Sequence, residues 1–124
     1  MNHWEHLYEV KKSKFISSIY EINQKDEILE IYQFLKKEHK KARHICYAYS
    51  LTIGNINYSG FSDDGEPSGT AGRPIKELIH LRKADNIAIF VVRYFGGIKL
   101  GGGGLIRSYV KSANLSLEDY LNSK

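Results

Sequence analysis

Residues 86–107 read Asn-Ile-Ala-Ile-Phe-Val-Val-Arg-Tyr-Phe-Gly-Gly-Ile-Lys-Leu-Gly-Gly-Gly-Gly-Leu-Ile-Arg, and this stretch decides the fold. The near-continuous apolar run over 86–95 predicts a central strand buried on both faces. Six of the chain's 11 glycines then fall within 96–104. Past them, Leu105, Tyr109 and Ala113 share a helix face with Ile106, Val110 and Leu117. The order is strand, glycine loop, helix. Glycine loses conformational entropy on folding, so such a run belongs where backbone takes positive φ or approaches something closely. A helix start behind it offers free N–H groups and a positive dipole end, which attract anions. Arg93, Lys99 and Arg107 flank this one.

The run is not a phosphate loop of the Gly-Lys-Ser/Thr type. It is not a dinucleotide fingerprint either, because Gly101-x-Gly103 is followed by Ile106 where a third glycine is required. What remains is anion capture by backbone N–H groups at a helix start near Leu105. The candidate binding residues are Arg93, Gly96, Gly97, Lys99, Gly101, Gly103, Gly104 and Arg107. The alternative is a tight reversal packed against the loop over 65–72.

That second loop lies in Ser62-Asp-Asp-Gly-Glu-Pro-Ser-Gly-Thr-Ala-Gly-Arg-Pro74. Asp63, Asp64 and Glu66 repel one another unless a cation or helix N-terminus compensates. Asp63 and Asp64 read as turn caps paired with Arg73 or Arg93. Glu66 precedes a proline and is held extended. The loop lacks the oxygen ladder of a calcium site, and no metal is assigned to it. Ser68, Thr70 and Arg73 complete the expected anion site. Asp63, Asp64, Glu66 and His44 are the weak candidates for catalysis. His44 and Cys46 point the same way on one strand but stand about 7 Å apart, too far for a Cys/His pair.

The rest of the chain fits around these motifs. His44–Ile53 alternates, with Ile45, Tyr47, Tyr49, Leu51 and Ile53 on one side and Cys46 and Ala48 among the small set on the other. Gly54-Asn55 signals a two-residue hairpin into a strand over 56–61. Residues 15–20 read as a short strand. A helix capped by Asn23 runs to about His39, and another starts at Pro74 or earlier under a Thr70 cap. The expected order is β-α-β-β-α-β-α. It implies an α+β two-layer sandwich, with a four-stranded mixed sheet, three helices mainly on one face, and the other face partly open.

Bulk properties limit the function. One domain over 1–124 is expected from 124 residues. A net charge of +4 with nine tyrosines suits an anionic partner, RNA included. Lysine outnumbers arginine 13 to 5, yet Arg43, Arg73, Arg93 and Arg107 all sit in or beside the motifs. Arginine makes planar, bidentate contacts that lysine does not. The single Cys46 excludes an internal disulfide, and neither a signal peptide nor an apolar span is visible. A cytoplasmic, membrane-free protein without cofactor is expected.

Four segments together resemble the N-terminal domain of the YigZ/IMPACT family. They are Lys-Lys-Ser-Lys-Phe-Ile at 11–16, Ala42-Arg-His-Ile-Cys-Tyr-Ala-Tyr49, the acidic segment over 60–74, and the stretch over 92–107. The resemblance implies a fold like the second domain of a small-subunit ribosomal protein, shared with kinases of the galactokinase and mevalonate kinase type. It also implies translation regulation, which eukaryotic members perform through a protein that activates an initiation-factor kinase. For bacterial members, nucleic-acid binding is the usual suggestion. Typical bacterial members add a ferredoxin-like C-terminal domain, which is not expected here. Gly102 stands where many relatives have threonine, and Ile45 where a polar residue is common.

The resulting expectation is a non-catalytic binding module for RNA, a ribosome-associated factor or another anionic partner. A phosphate- or nucleotide-binding enzyme and a purely protein-binding module are the alternatives.

Overall fold

The computed structural model describes residues 4–124. In chain order the elements are β1 (His6–Val10), β2 (Ser13–Glu21), α1 (Asp26–Glu38), β3 (His44–Ile53), β4 (Ile56–Ser62), α2 (Gly72–Leu81), β5 (Ile87–Tyr94) and α3 (Gly101–Asn122). The sheet runs β1-β2-β5-β3-β4, and every pairing is antiparallel.

Two expectations are corrected here. The sheet has five strands, not four, and it is antiparallel, not mixed. The β2-α1-β3 crossover does set β2 and β3 in the same direction. β5 then enters between them, antiparallel to both. The extra strand, β1, joins β2 through Lys11 and Lys12, whose φ values of 47° and 66° are both positive. That is the backbone of a type I′ turn, built here without the usual Asn or Gly. At the Gly54-Asn55 hairpin, Gly54 takes φ 63° and Ile53 pairs with Ile56, as expected.

The placement of the helices is corrected as well. β5 presents Ile87, Ile89 and Val91 to α2 and α3, where they pack with Ile75, Ile79, Tyr109 and Leu117. Its alternate residues Ala88, Phe90 and Val92 pack with Ile28 and Leu35 of α1. So α1 covers the face expected to be open. The small residues Cys46 and Ala48 meet α2 and α3, and the bulky Ile45 and Leu51 meet α1. Each fully buried large side chain contributes about 1.5–3 kcal/mol, so both layers stabilise the sheet.

Of the two starts open for α2 the structure takes the earlier, at Gly72, with Ala71 and not Thr70 at the cap position, and α3 starts at Gly101, earlier than the expected start near Leu105. α1 starts later, at Asp26. Asn23 does not cap α1 with its side chain; its backbone N–H donates to the Glu27 carboxylate at 3.4 Å.

The glycine loop is fixed by one close approach. A Cβ on Gly96 would lie 2.1 Å from the carbonyl carbon and oxygen of Lys12. The Gly96 N–H donates to Ser13 Oγ at 3.2 Å. Gly96→Ala therefore has to part the loop from the β1–β2 turn. It is expected to cost about 1–3 kcal/mol, read from the urea midpoint. Gly97→Ala meets no such obstacle in space, but its φ of 90° makes any side chain there strained.

Candidate functional site

The start of β3, the end of β5, the loop after β4 and the start of α3 converge at one end of the sheet. Register sets this, because His44 pairs with Arg93 and Tyr47 with Ser62. Between the acidic and glycine loops lies a cleft of about 570 Å³. Arg43, His44, Glu66, Arg93, Phe95 and Lys99 line it, together with Leu100, Gly101 and Gly102 at the start of α3.

The three carboxylates have separate fates. Asp63 accepts backbone N–H groups from Gly69, Ala71 and Gly72 at 2.9, 3.1 and 2.8 Å. It closes its own loop and supplies the N-terminal cap of α2 from outside the helix. Asp64 accepts the Ile45 N–H at 2.7 Å and the Tyr32 hydroxyl at 2.9 Å. Burial first, then that bond to Asp64, pushes the Tyr32 phenol up to about 12. The expected pairing of these aspartates with Arg73 or Arg93 is corrected: backbone donors occupy both carboxylates instead.

Glu66 is the carboxylate left to the cleft, and it is buried. Its Oε2 accepts from Arg93 Nη1 at 2.7 Å and from the Tyr109 hydroxyl at 2.5 Å. His44 donates from Nδ1 to the Asp64 carbonyl at 2.7 Å, which leaves Nε2 facing Glu66 Oε1 at 3.5 Å. Beneath this group the Cys46 thiol donates to the Asp63 carbonyl at 3.2 Å and to Tyr109 Oη at 3.4 Å. Burial raises both the Cys46 thiol and the Tyr109 phenol well above their ordinary values, and neighbouring carboxylates add to this. A buried, protonated thiol is a poor nucleophile.

Arg93 is the centre of the cleft floor. Its guanidinium stands 5.6 Å from the Phe15 ring and 5.5 Å from Phe95. Its Nε is buried without a hydrogen-bond partner among the described residues. The Arg43 guanidinium also stands over the exposed Phe95 ring, at 5.0 Å. α3 opens with four glycines, no acidic residue in its first turn and no side-chain cap. Its first N–H groups have no partner within the helix. Three cations thus face a single carboxylate that is already bonded.

The structure brings together Arg93, Lys99, Gly101, Glu66 and His44 from the sequence-based candidates. It disperses others. Arg73 lies on the exposed side of α2, 3.8 Å from Glu77, and lines a different groove. Arg107 is exposed on α3, with a guanidinium nitrogen 3.3 Å from where a Gly103 Cβ would be. The buried Thr70 spends its hydroxyl on the Pro67 carbonyl at 2.5 Å, and Ser68 is exposed on the loop. Gly96 serves the turn described above, and a Cβ on Gly104 would lie 3.2 Å from Leu100. Sequence reasoning did not place Arg43, Phe95, Leu100 or Tyr109 in the site. The sequence sets Arg43 in or beside the motifs without assigning it to the site; Phe95 reads as a strand end, Tyr109 as helix core and Leu100 as part of the glycine loop.

Among the described residues no helix is long and apolar enough to cross a membrane, and no cluster of His, Cys, Asp and Glu could hold a metal ion.

Known proteins agree with this architecture. IMPACT family member YvyE of Bacillus subtilis is 46% identical over 114 residues, covering 91% of this chain and 52% of its own. A crystal structure described as a hypothetical protein superposes with a TM-score of 0.85 at 37% identity, covering 92% of this chain and 56% of that one. The two-domain translational regulator Yih1 shares the fold with a TM-score of 0.60 at 20% identity, over 93% of this chain and 44% of its own. The chain therefore spans about half the length of the relatives it matches. The model of the Impact N-terminal domain matches residues 11–117, so this chain belongs to the Impact N-terminal domain family.

Proposed function

We propose that this chain is a non-catalytic binding module, related to translation regulation, that takes single-stranded RNA across the cleft. One observation carries the reading: Arg43, Arg93, Lys99 and the uncapped α3 N-terminus face the same space as the exposed ring of Phe95. Cations with free backbone N–H groups suit phosphate, and an exposed aromatic ring flanked by guanidinium suits a base. Family membership and the Yih1 fold direct the reading toward translation. Catalysis by the acidic loop is disfavoured, because Asp63 and Asp64 are committed to backbone donors and Glu66 to Arg93.

The test is binding of oligouridine by fluorescence anisotropy across a salt series. Neutralising about three or four phosphates predicts a log–log slope of roughly −2 to −3 between about 50 and 200 mM salt. Lys99→Ala should reduce that slope by about 0.7 and leave the fold intact. Absence of RNA retention at the lowest salt, or binding indifferent to salt, sinks the proposal. Stabilisation by nucleotide with magnesium, absent with RNA, would favour the enzyme reading instead.

A further inference from the structure

A second groove lies between β4 and α2, apart from the cleft. β4 is an edge strand: among the described residues it pairs with β3 and with no other strand. Its outward backbone N–H and C=O groups are therefore open to another chain. Phe61 lies opposite Ala48 in the ladder, so it points to the face that carries α2. Between that edge and α2 runs a groove of about 560 Å³, lined by Phe61, Arg73, Lys76, Glu77, His80 and Leu81.

Three properties of the groove define an occupant. Its apolar walls are uncovered, since Phe61 is 43% and Leu81 78% exposed. Its charge is positive: Arg73 and Lys76 stand against Glu77, which Arg73 already approaches at 3.8 Å, so the Lys76 ammonium is left over. Lys76 reaches over the Phe61 ring, 5.7 Å from the centroid, so its ammonium sits where the edge and the helix meet. An edge strand beside a helix, with a groove between, is the geometry by which a sheet takes an extended peptide as an added strand.

We propose that β4 and α2 form a docking groove for an extended acidic peptide of a partner protein, added to the sheet as a sixth strand. Such a strand lies about 4.8 Å outside β4, with alternate side chains turned toward α2. An apolar residue in the middle of that set fills the space between Phe61 and Leu81. Acidic residues two positions to either side meet Lys76 and the Arg73–His80 flank. The peptide's alternate main-chain amides bond the free edge of β4. This partner is distinct from RNA, and the groove shares no lining residue with the cleft.

The probe is the blocked peptide acetyl-Ser-Glu-Thr-Leu-Thr-Glu-Ser-amide, titrated into the full chain and followed by amide chemical shifts. Shifts should concentrate in 56–62 and 72–81. Lys76→Glu should weaken binding by about tenfold, with Lys76→Arg restoring it and unchanged melting showing that both variants fold. N-methylation of the amides on one edge of the peptide should abolish binding, and methylation on the other edge should not. A lysine-for-glutamate version of the peptide should fail to bind. The proposal is overturned by shifts centred on the cleft, by equal binding of the lysine peptide, or by indifference to N-methylation on either edge. Absence of any shift at millimolar peptide overturns it too. So does sedimentation that shows copies of this chain paired through β4. None of these outcomes bears on RNA retention, which Lys99 tests separately.

Discussion

Arg93→Met is expected to lower the unfolding free energy by about 3–5 kcal/mol, the loss typical when one partner of a buried ion pair is removed. Arg93 and Glu66 are 6% and 3% exposed at the side chain and meet at 2.7 Å. Methionine fills much of the arginine stem, so the space between Phe15 and Phe95 does not collapse. What remains is a buried carboxylate with Tyr109 as its close donor and His44 at 3.5 Å. The melting temperature should fall by roughly 10–20 °C for a domain of this size.

The sharper measurement is the double variant. Glu66→Gln with Arg93→Met removes the stranded charge, so it should recover a large part of the loss, leaving a coupling energy of about 2 kcal/mol or more. Urea midpoints of the four proteins give that number directly. If Arg93→Met costs less than about 1 kcal/mol, or if the two losses simply add, the pair does not organise the cleft. Glu66 would then be a solvated loop residue, and the cleft would not form a single net-cationic site.

The same pair shows how far the sequence can be read. Glu66 is set apart from Asp63 by the sequence alone, because a residue that precedes proline is held extended and cannot fold back as a cap. In the structure it is Asp63 that takes the Ala71 and Gly72 N–H groups. The partner of Glu66 was not legible, since Arg73 and Arg93 were equally good by charge. The start of α2 decided between them. With the helix beginning at Gly72, Arg73 takes an exposed first-turn position beside Glu77. Packing of the glycine loop against the acidic loop is one of the two readings the sequence offers, and the two loops do enclose one cleft.

The strand count and the layering were hidden for a different reason. β1 carries no hairpin punctuation, because two lysines occupy the positive-φ positions that normally announce a type I′ turn. The location of α1 was hidden by β3, which buries apolar residues on both faces, Ile45 and Leu51 on one and Cys46 and Ala48 on the other. A strand covered on both sides cannot say which helix lies on which side. Only pairing with β5, whose residues are buried throughout apart from Tyr94 at its end, shows that both faces are needed. The glycines 101–104 read as loop because glycine is a poor helix former. They enter α3 as its first turn because the helix is long and anchored by Leu105, Tyr109, Ala113 and Leu117.

Loss of the fold at alkaline pH is the second large effect. Cys46 and Tyr109 are both 0% exposed, and burial raises both acids far above their ordinary values. In the unfolded chain they release protons near the usual values of about 8.5 for a thiol and about 10 for a phenol. Above those values the unfolded state binds fewer protons than the native state, so stability falls as pH rises. Below about pH 8 the contribution is fully present. Between about pH 9 and 10 the slope should approach 1.4 kcal/mol per pH unit from Cys46 alone, and about twice that above pH 10 as Tyr109 joins. Tyr32, pushed up to about 12, and the phenols of Tyr20, Tyr47, Tyr94 and Tyr120, which burial also raises, add in the same direction but are less buried. Urea midpoints measured from pH 7 to 11 give the curve. Cys46→Ala should delay the onset of the loss to about pH 10, and Tyr109→Phe should make the limb above about pH 10 shallower, though each lowers stability at pH 7. A midpoint that stays flat to pH 11 in the parent protein would mean that water reaches Cys46 and Tyr109. The floor of the cleft, with Glu66 and Arg93 resting on it, would then not be the closed polar cluster that holds the two loops together.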